Sequence, residues 1–174
     1  MVDSLTATGG YALLVFTAAD MRDRGDDIDT IYNWLLEHRL EVQSLVMTSD
    51  LTFLIHGGRI SKAAGFFGTM MNICPFIEIL PDGSLGVKEK IRTKKRAMRR
   101  MVEVMTERAV GGTAYAGRCF LSNSTQADAE ELADMVKAAF PDIQLILNTI
   151  GGTIGCHTGP GTVTLFFWGK KRTN

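Results

Sequence analysis

Three glycine-rich turns carry the polar side chains of this sequence that are best placed to do chemistry: "DSLTATGG" at residues 3–10, "HGGRIS" at 56–61 and "GGTIGCHTGPG" at 151–161. Glycine lets a backbone approach a ligand closely and turn amide hydrogens inward, which suits an anionic oxygen. Arg59 in the second turn and His157 in the third would add charge and hydrogen bonds to a carboxylate or a phosphate. His157 is expected on a turn, facing such a group, just before the apolar strand "VTLFF". The same residues also fit plain architecture, with the glycines as helix stops and hairpin corners, Arg59 solvated and His157 tying a loop.

Two further stretches stand beside them. "AAGFFGTMMNICPF" mixes small residues with Phe66, Phe67, Met70, Met71, Ile73 and Phe76, beginning at Ala63. Its simplest reading is core, but thioethers adapt and small residues leave room, so it also suits the wall of a pocket for a flexible apolar chain. It follows Arg59 directly, as a head-group anchor followed by a tunnel wall would require. "KEKIRTKKRAMRR", Lys88 to Arg100, sets eight basic residues against the single Glu89. Such a run is most often a solvated helix face and otherwise docks an acidic partner, a phosphate or nucleic acid. It has no interleaved aromatic residues to stack on bases.

Hydrolysis finds little support. His56–Gly58 has the look of an esterase oxyanion loop, yet no G-x-S-x-G elbow occurs in the chain. Cys156 sits beside His157, but sequence neighbours rarely point at one another as a nucleophile and its base must. The three cysteines and three histidines form no metal-ligand spacing, and the odd, scattered cysteines point to a reducing compartment rather than a disulfide framework.

The elements that must position these residues read as alternating helices and strands. A short strand end is expected first, then a helix from about Gly10 to Arg24 that is apolar nearly all round and stops at Gly25. Next comes an amphipathic helix with Ile28, Ile31, Tyr32, Leu35 and Leu36 on one stripe. From Val42 follow a strand, a short helix ending in glycine, and a Pro-Asp-Gly hairpin with strands from about Phe76 and Leu85. A helix from Lys94 to Arg108 turns Met98, Met101, Val102 and Met105 inward. "GRCFLSN" is a strand, Thr125 and Asp128 offer a capping box for the following helix, and "IQLILNTIGG" and "GTVTLFFWG" add two more strands. The expected class is α/β, with a mixed parallel and antiparallel sheet covered by helices.

With 174 residues the chain is long enough for a real core, and 19 basic against 19 acidic residues leave no whole-molecule field. The early apolar run "YALLVF" lacks a basic flank and soon meets charges, so neither a signal peptide nor a membrane span is expected.

Taken in order, "VDSLTATGG", "FLIHGGRIS", "NICPFIEILPDGSLGVKEKIRTKKRA" and "IGCHTGPGTVTLFF" resemble the DegV family of fatty-acid-binding proteins, from Val2 to Trp168. The resemblance implies a bacterial, cytoplasmic α/β protein of two domains that holds one long-chain fatty acid. The carboxylate would lie near the domain interface and the acyl chain in the C-terminal domain. It implies no catalysis and no cofactor: the protein presents its fatty acid to a fatty acid kinase subunit, which makes an acyl-phosphate for phospholipid synthesis. By motif position Arg59, His157 and Thr158 resemble the carboxylate-side residues. Ala63, Phe66, Phe67, Met70, Met71, Ile73 and Phe76 would then wall the acyl chain. Arg92, with Lys94, Lys95 and Arg96, resembles the surface that docks the kinase, and nucleic acid is then not a partner.

Members of the family begin with a strand-rich domain that carries serine and threonine ligands for the carboxylate. Here residues 1–40 resemble only the end of it, the last strand and two helices, ahead of a lipid-binding domain at 41–174. Apolar surface on that remnant would be exposed, with homodimerisation as a consequence. Each buried methylene of a tail is worth about 0.8 kcal/mol. A charge-assisted hydrogen bond is worth about 1.5 to 3 kcal/mol, so a missing clamp would weaken head-group orientation more than tail binding. Two readings from other classes stay beside this one: a basic-surfaced interaction domain that binds nucleic acid or an acidic protein without lipid, and a Cys156-dependent hydrolase.

Overall fold

The computed structural model describes residues 1–61 and 73–173. Residues 1–7 form no strand, contrary to expectation; the Leu5 amide donating to Asp3 Oδ1, and the Ser4 hydroxyl bonded to the Thr6 backbone, organise them as a turn instead. Helix α1 (Thr8–Asp23) and helix α2 (Ile28–His38) follow, separated by Gly25 at φ +96°. Asp27 caps α2, its Oδ1 accepting from the Asp29 and Thr30 amides. A short 3-10 turn leads to β1 (Val42–Met47), then α3 (Thr52–His56), β2 (Ile73–Ile79) and β3 (Leu85–Arg92). The second half runs α4 (Lys94–Arg108), β4 (Arg118–Asn123), α5 (Gln126–Ala139), β5 (Gln144–Thr149), α6 (Gly152–Thr158) and β6 (Val163–Trp168).

The six strands form one mixed sheet in the order β3-β2-β1-β6-β4-β5. β4 and β5 are parallel, joined across α5, and every other neighbouring pair is antiparallel. Alternation along the strands divides the core in two. Leu45, Met47, Phe76, Leu121, Leu165 and Phe167 face α4 and α5, where they meet Met98, Met101, Met105, Leu132 and Phe140. Val42, Val46, Ile77, Ile79, Phe120 and Phe166 face the other way, towards α1 and α3, where Leu13, Leu14, Leu51 and Leu54 cover them. α4 buries Val104 where Val102 was expected, because it is packed by α5 as well as by the sheet.

Helix α1 rests on β1, β4 and β6, yet its outer side leaves Tyr11, Val15 and Phe16 exposed. α2 buries no residue fully; Ile28 and Tyr32 of its apolar stripe are exposed, while Leu35 touches the core. The expected capping box at Thr125 is not made. Thr125 Oγ1 accepts the Gly161 amide at 3.0 Å instead, and the Asp128 carboxylate takes the Lys94 ammonium at 2.5 Å. Tertiary partners outcompete the local cap.

Met101 is wholly buried between α4 and the sheet. Met101→Ala should cost about 2–5 kcal/mol in urea denaturation. Asp20 on α1 accepts hydrogen bonds from the Arg118 guanidinium of β4, which hold its carboxyl below the ordinary aspartate value. A lowered native pKa adds stability above the ordinary range that is lost as pH falls through that range and then the native value. Asp20→Asn should therefore melt below the parent at neutral pH, the gap closing in acid, as followed by thermal denaturation across a pH series.

Candidate functional site

On the α1/α3 face of the sheet a cavity of about 200 Å³ opens where the glycine turns converge. Its apolar wall is Val46, Leu54, Ile79, Leu85, Ile150, Ile154 and Phe166. Thr6, Thr8, Arg59, His157, Thr158 and Thr164 supply the polar atoms. The structure thus gathers Arg59, His157 and Thr158 into one place.

The imidazole is carried not by a turn but by the short helix α6, which corrects its expected setting. Gly152 and Gly155 make that helix a poor one by propensity, and it is held by packing against α3. The contact is close because Gly57 has no side chain: a Cβ there would fall 2.5 Å from His157 Nδ1. Thr158 Oγ1 donates back to Ile154 O at 3.2 Å, and Thr162 Oγ1 lies 3.0 Å from Thr158 O and 3.1 Å from Thr48 Oγ1. Gly159 then reverses the chain at φ +72°, with the Phe53 ring of α3 where its side chain would be. Arg59 is exposed and donates from Nη1 to Gly57 O at 2.5 Å, so its guanidinium is drawn back over the end of α3.

The opposite wall is pinned by Arg172. This buried side chain donates to Ile79 O, Leu80 O and Leu5 O at 2.9–3.0 Å, tying the N-terminal segment to the hairpin. Burial lowers its pKa below the ordinary arginine value. Thr6 Oγ1 lies 2.9 Å from Ser44 Oγ of β1, which seats the segment on the sheet.

Chemically, the cavity offers an exposed guanidinium, an imidazole and hydroxyls beside an apolar lining. That combination suits an amphiphile with an anionic head. Cys156, the candidate nucleophile, is exposed, its Sγ lies 3.1 Å from Thr153 O, and it does not line the cavity. Among the described residues no group of three or more His, Cys, Asp or Glu is placed to hold a metal.

Of the expected acyl-chain wall, Ala63, Phe66, Phe67, Met70 and Met71 lie outside the described residues. Ile73 begins β2, half-buried, and is not among the cavity's lining residues. Phe76 is buried on the α4/α5 side of the sheet and is not among the residues lining this cavity. Of the expected docking residues, Lys94 pairs with Asp128 at 2.5 Å and Lys95 with Glu131 at 3.9 Å, both across to α5. Arg92 and Arg96 are exposed and make no ion pair among the described residues. Sequence reasoning missed Thr6, Thr8, Ile150 and Ile154, although all four lie in or beside turns it singled out.

Because Gly159 combines a backbone essentially confined to glycine (φ 72°, ψ −178°) with a filled neighbouring space, Gly159→Ala should cost about 1–3 kcal/mol from the backbone alone. Equilibrium denaturation would show that loss together with the clash against Phe53; an unchanged midpoint would contradict the packing described.

The model of the DegV family, described as "Uncharacterised protein, DegV family", matches residues 1–170. A DegV domain-containing protein of Clostridium perfringens is 32% identical over 173 residues, which cover 99% of this chain and 59% of that protein. Another from Lactococcus lactis is 33% identical, with 98% of this chain and 58% of that protein covered. The chain thus spans about three fifths of the length of these relatives. Among solved structures, a fatty acid binding DegV family protein of Streptococcus agalactiae superposes with a TM-score of 0.84 at 27% identity, over 98% of this chain and 59% of that one. The Streptococcus pneumoniae fatty acid kinase B3 protein, loaded with linoleic acid, gives a TM-score of 0.84 at 20% identity, over 96% of this chain and 58% of that one. The latter likeness concerns the fold alone. With a family match over nearly its whole length and relatives about a third identical, the chain belongs to the DegV family.

Proposed function

We propose that this chain binds a long-chain fatty acid, with the carboxylate held by Arg59, His157 and Thr158 and the acyl chain running along the apolar wall. The observation that carries this is the cavity itself, in which those three residues stand beside Val46, Leu54, Ile79, Ile154 and Phe166. The printed description of the Streptococcus agalactiae relative as a fatty acid binding protein, at 27% identity, supports the same ligand class. Apolar burial supplies most of the affinity at about 0.8 kcal/mol per methylene. The guanidinium and imidazole select the charged head group.

In this reading the protein is a carrier rather than a catalyst, working in the cytoplasm and presenting its ligand to a fatty acid kinase subunit. Arg92 and Arg96 are the exposed cations that would meet the kinase. Lys94 and Lys95 act mainly as ties to α5, since each already faces a carboxylate. That pairing also disfavours the nucleic-acid reading, which needs the whole basic run to be available for phosphates.

Mass spectrometry of lipid extracted from the purified chain should reveal a stoichiometric long-chain fatty acid. Combined Arg59→Ala and His157→Ala substitutions should weaken binding of added fatty acid by at least about tenfold. Unchanged affinity in the double variant would refute this head-group site.

A further inference from the structure

Thr8, the first residue of α1, combines three features that folding alone leaves unexplained. Its φ is +45°, in the left-handed region that a β-branched residue strongly disfavours. Its Oγ1 is buried and has no hydrogen-bond partner among the described residues, a costly state for a hydroxyl. It also lines the cavity that holds Arg59, His157 and Thr158.

The surroundings share this pattern. α1 is 16 residues long and starts at the cavity wall without a side-chain cap, since Ala7 stands at the capping position. No side chain caps the helix; in its first turn the Gly10 amide donates to Ala7 O at 2.9 Å, and the positive end of the helix faces this region. The Thr6 hydroxyl is already engaged with Ser44 Oγ at 2.9 Å. Arg59 and His157 reach the cavity from the α3 and α6 segments, and neither bonds Thr8 Oγ1.

We propose that Thr8 is a further head-group residue: its hydroxyl donates to the carboxylate of the bound fatty acid, at the opening of α1, in the cavity that Arg59 and His157 also line. This rests on the fatty-acid reading above and goes beyond it by naming a donor on the α1 side of the cavity. The unusual backbone of Thr8 then serves to hold its side chain at the cavity wall. The α1 side of this chain would thus take part in fixing the head group.

Thr8→Val removes the hydroxyl while keeping the shape and the backbone strain, and Thr8→Ser keeps the hydroxyl. Oleic acid and methyl oleate are titrated into the lipid-stripped full chain and its variants by calorimetry. Thr8→Val should bind oleic acid about tenfold more weakly than the parent, consistent with loss of a hydrogen bond to a charged group. It should bind methyl oleate within twofold of the parent, and Thr8→Ser should stay near the parent for both. Equal loss for acid and ester in Thr8→Val would mean that Thr8 only packs, and no loss for either would mean that it is idle; both outcomes overturn the proposal while leaving the fatty-acid reading intact. Failure of the parent chain to bind either ligand overturns both.

Discussion

Helix α1 lies on the sheet because Gly9 and Gly10 present no side chain to it. A Cβ on Gly9 would fall 2.4 Å from Phe120 Cβ and 2.7 Å from the Phe166 ring, and one on Gly10 would fall 2.2 Å from Thr6 Oγ1. None of these neighbours is free to yield. Phe120 and Phe166 pair across the β4–β6 ladder, and Thr6 is hydrogen-bonded to β1. This close approach lays the start of α1 over the centre of the sheet, so Thr6, Ala7 and Thr8 become cavity wall. Larger residues at those two positions would lift the helix and open that wall to water.

The two faces of the sheet follow from the same alternation but answer different needs. The α4/α5 face is filled by methionine, leucine and phenylalanine, and its helices are further joined by the Lys94–Asp128 and Lys95–Glu131 pairs. The α1/α3 face is covered by shorter elements whose contacts leave a hollow between them. The hollow is held by point contacts, among them Arg172 on three carbonyls and Gly57 against His157.

Much of this was legible from residue patterns. The helix Lys94–Arg108 matches its expected bounds because its apolar spacing, and a basic run that cannot be buried, leave few alternatives. The Pro-Asp-Gly hairpin was readable from turn chemistry, and the alternation of helices and strands led to the mixed sheet. Arg59 and His157 stood out as charged groups beside glycines, and the family resemblance added Thr158; all three line one cavity. Phe76 could not be placed from sequence, because a strand's alternation says which residues share a face but not which face holds the cavity. His157 was misread as a turn residue because α6 owes its helix to α3, a contact far away in sequence. Thr8 gave no local sign at all: a threonine in a left-handed backbone looks in sequence like any other threonine.

The cavity wall includes Thr6, Val46, Arg59, Leu85, Ile154 and Phe166, which lie on six different segments of the chain. A ligand held there would grip the N-terminal segment, the hairpin and the central strands at once, so it would favour the fully assembled molecule over any partly opened form. Occupancy therefore acts as a thermodynamic keystone: each gain in ligand concentration over its dissociation constant is passed to the global unfolding equilibrium. Under the proposed fatty-acid function, the supply of lipid would thereby also set how readily the folded protein opens to proteolysis.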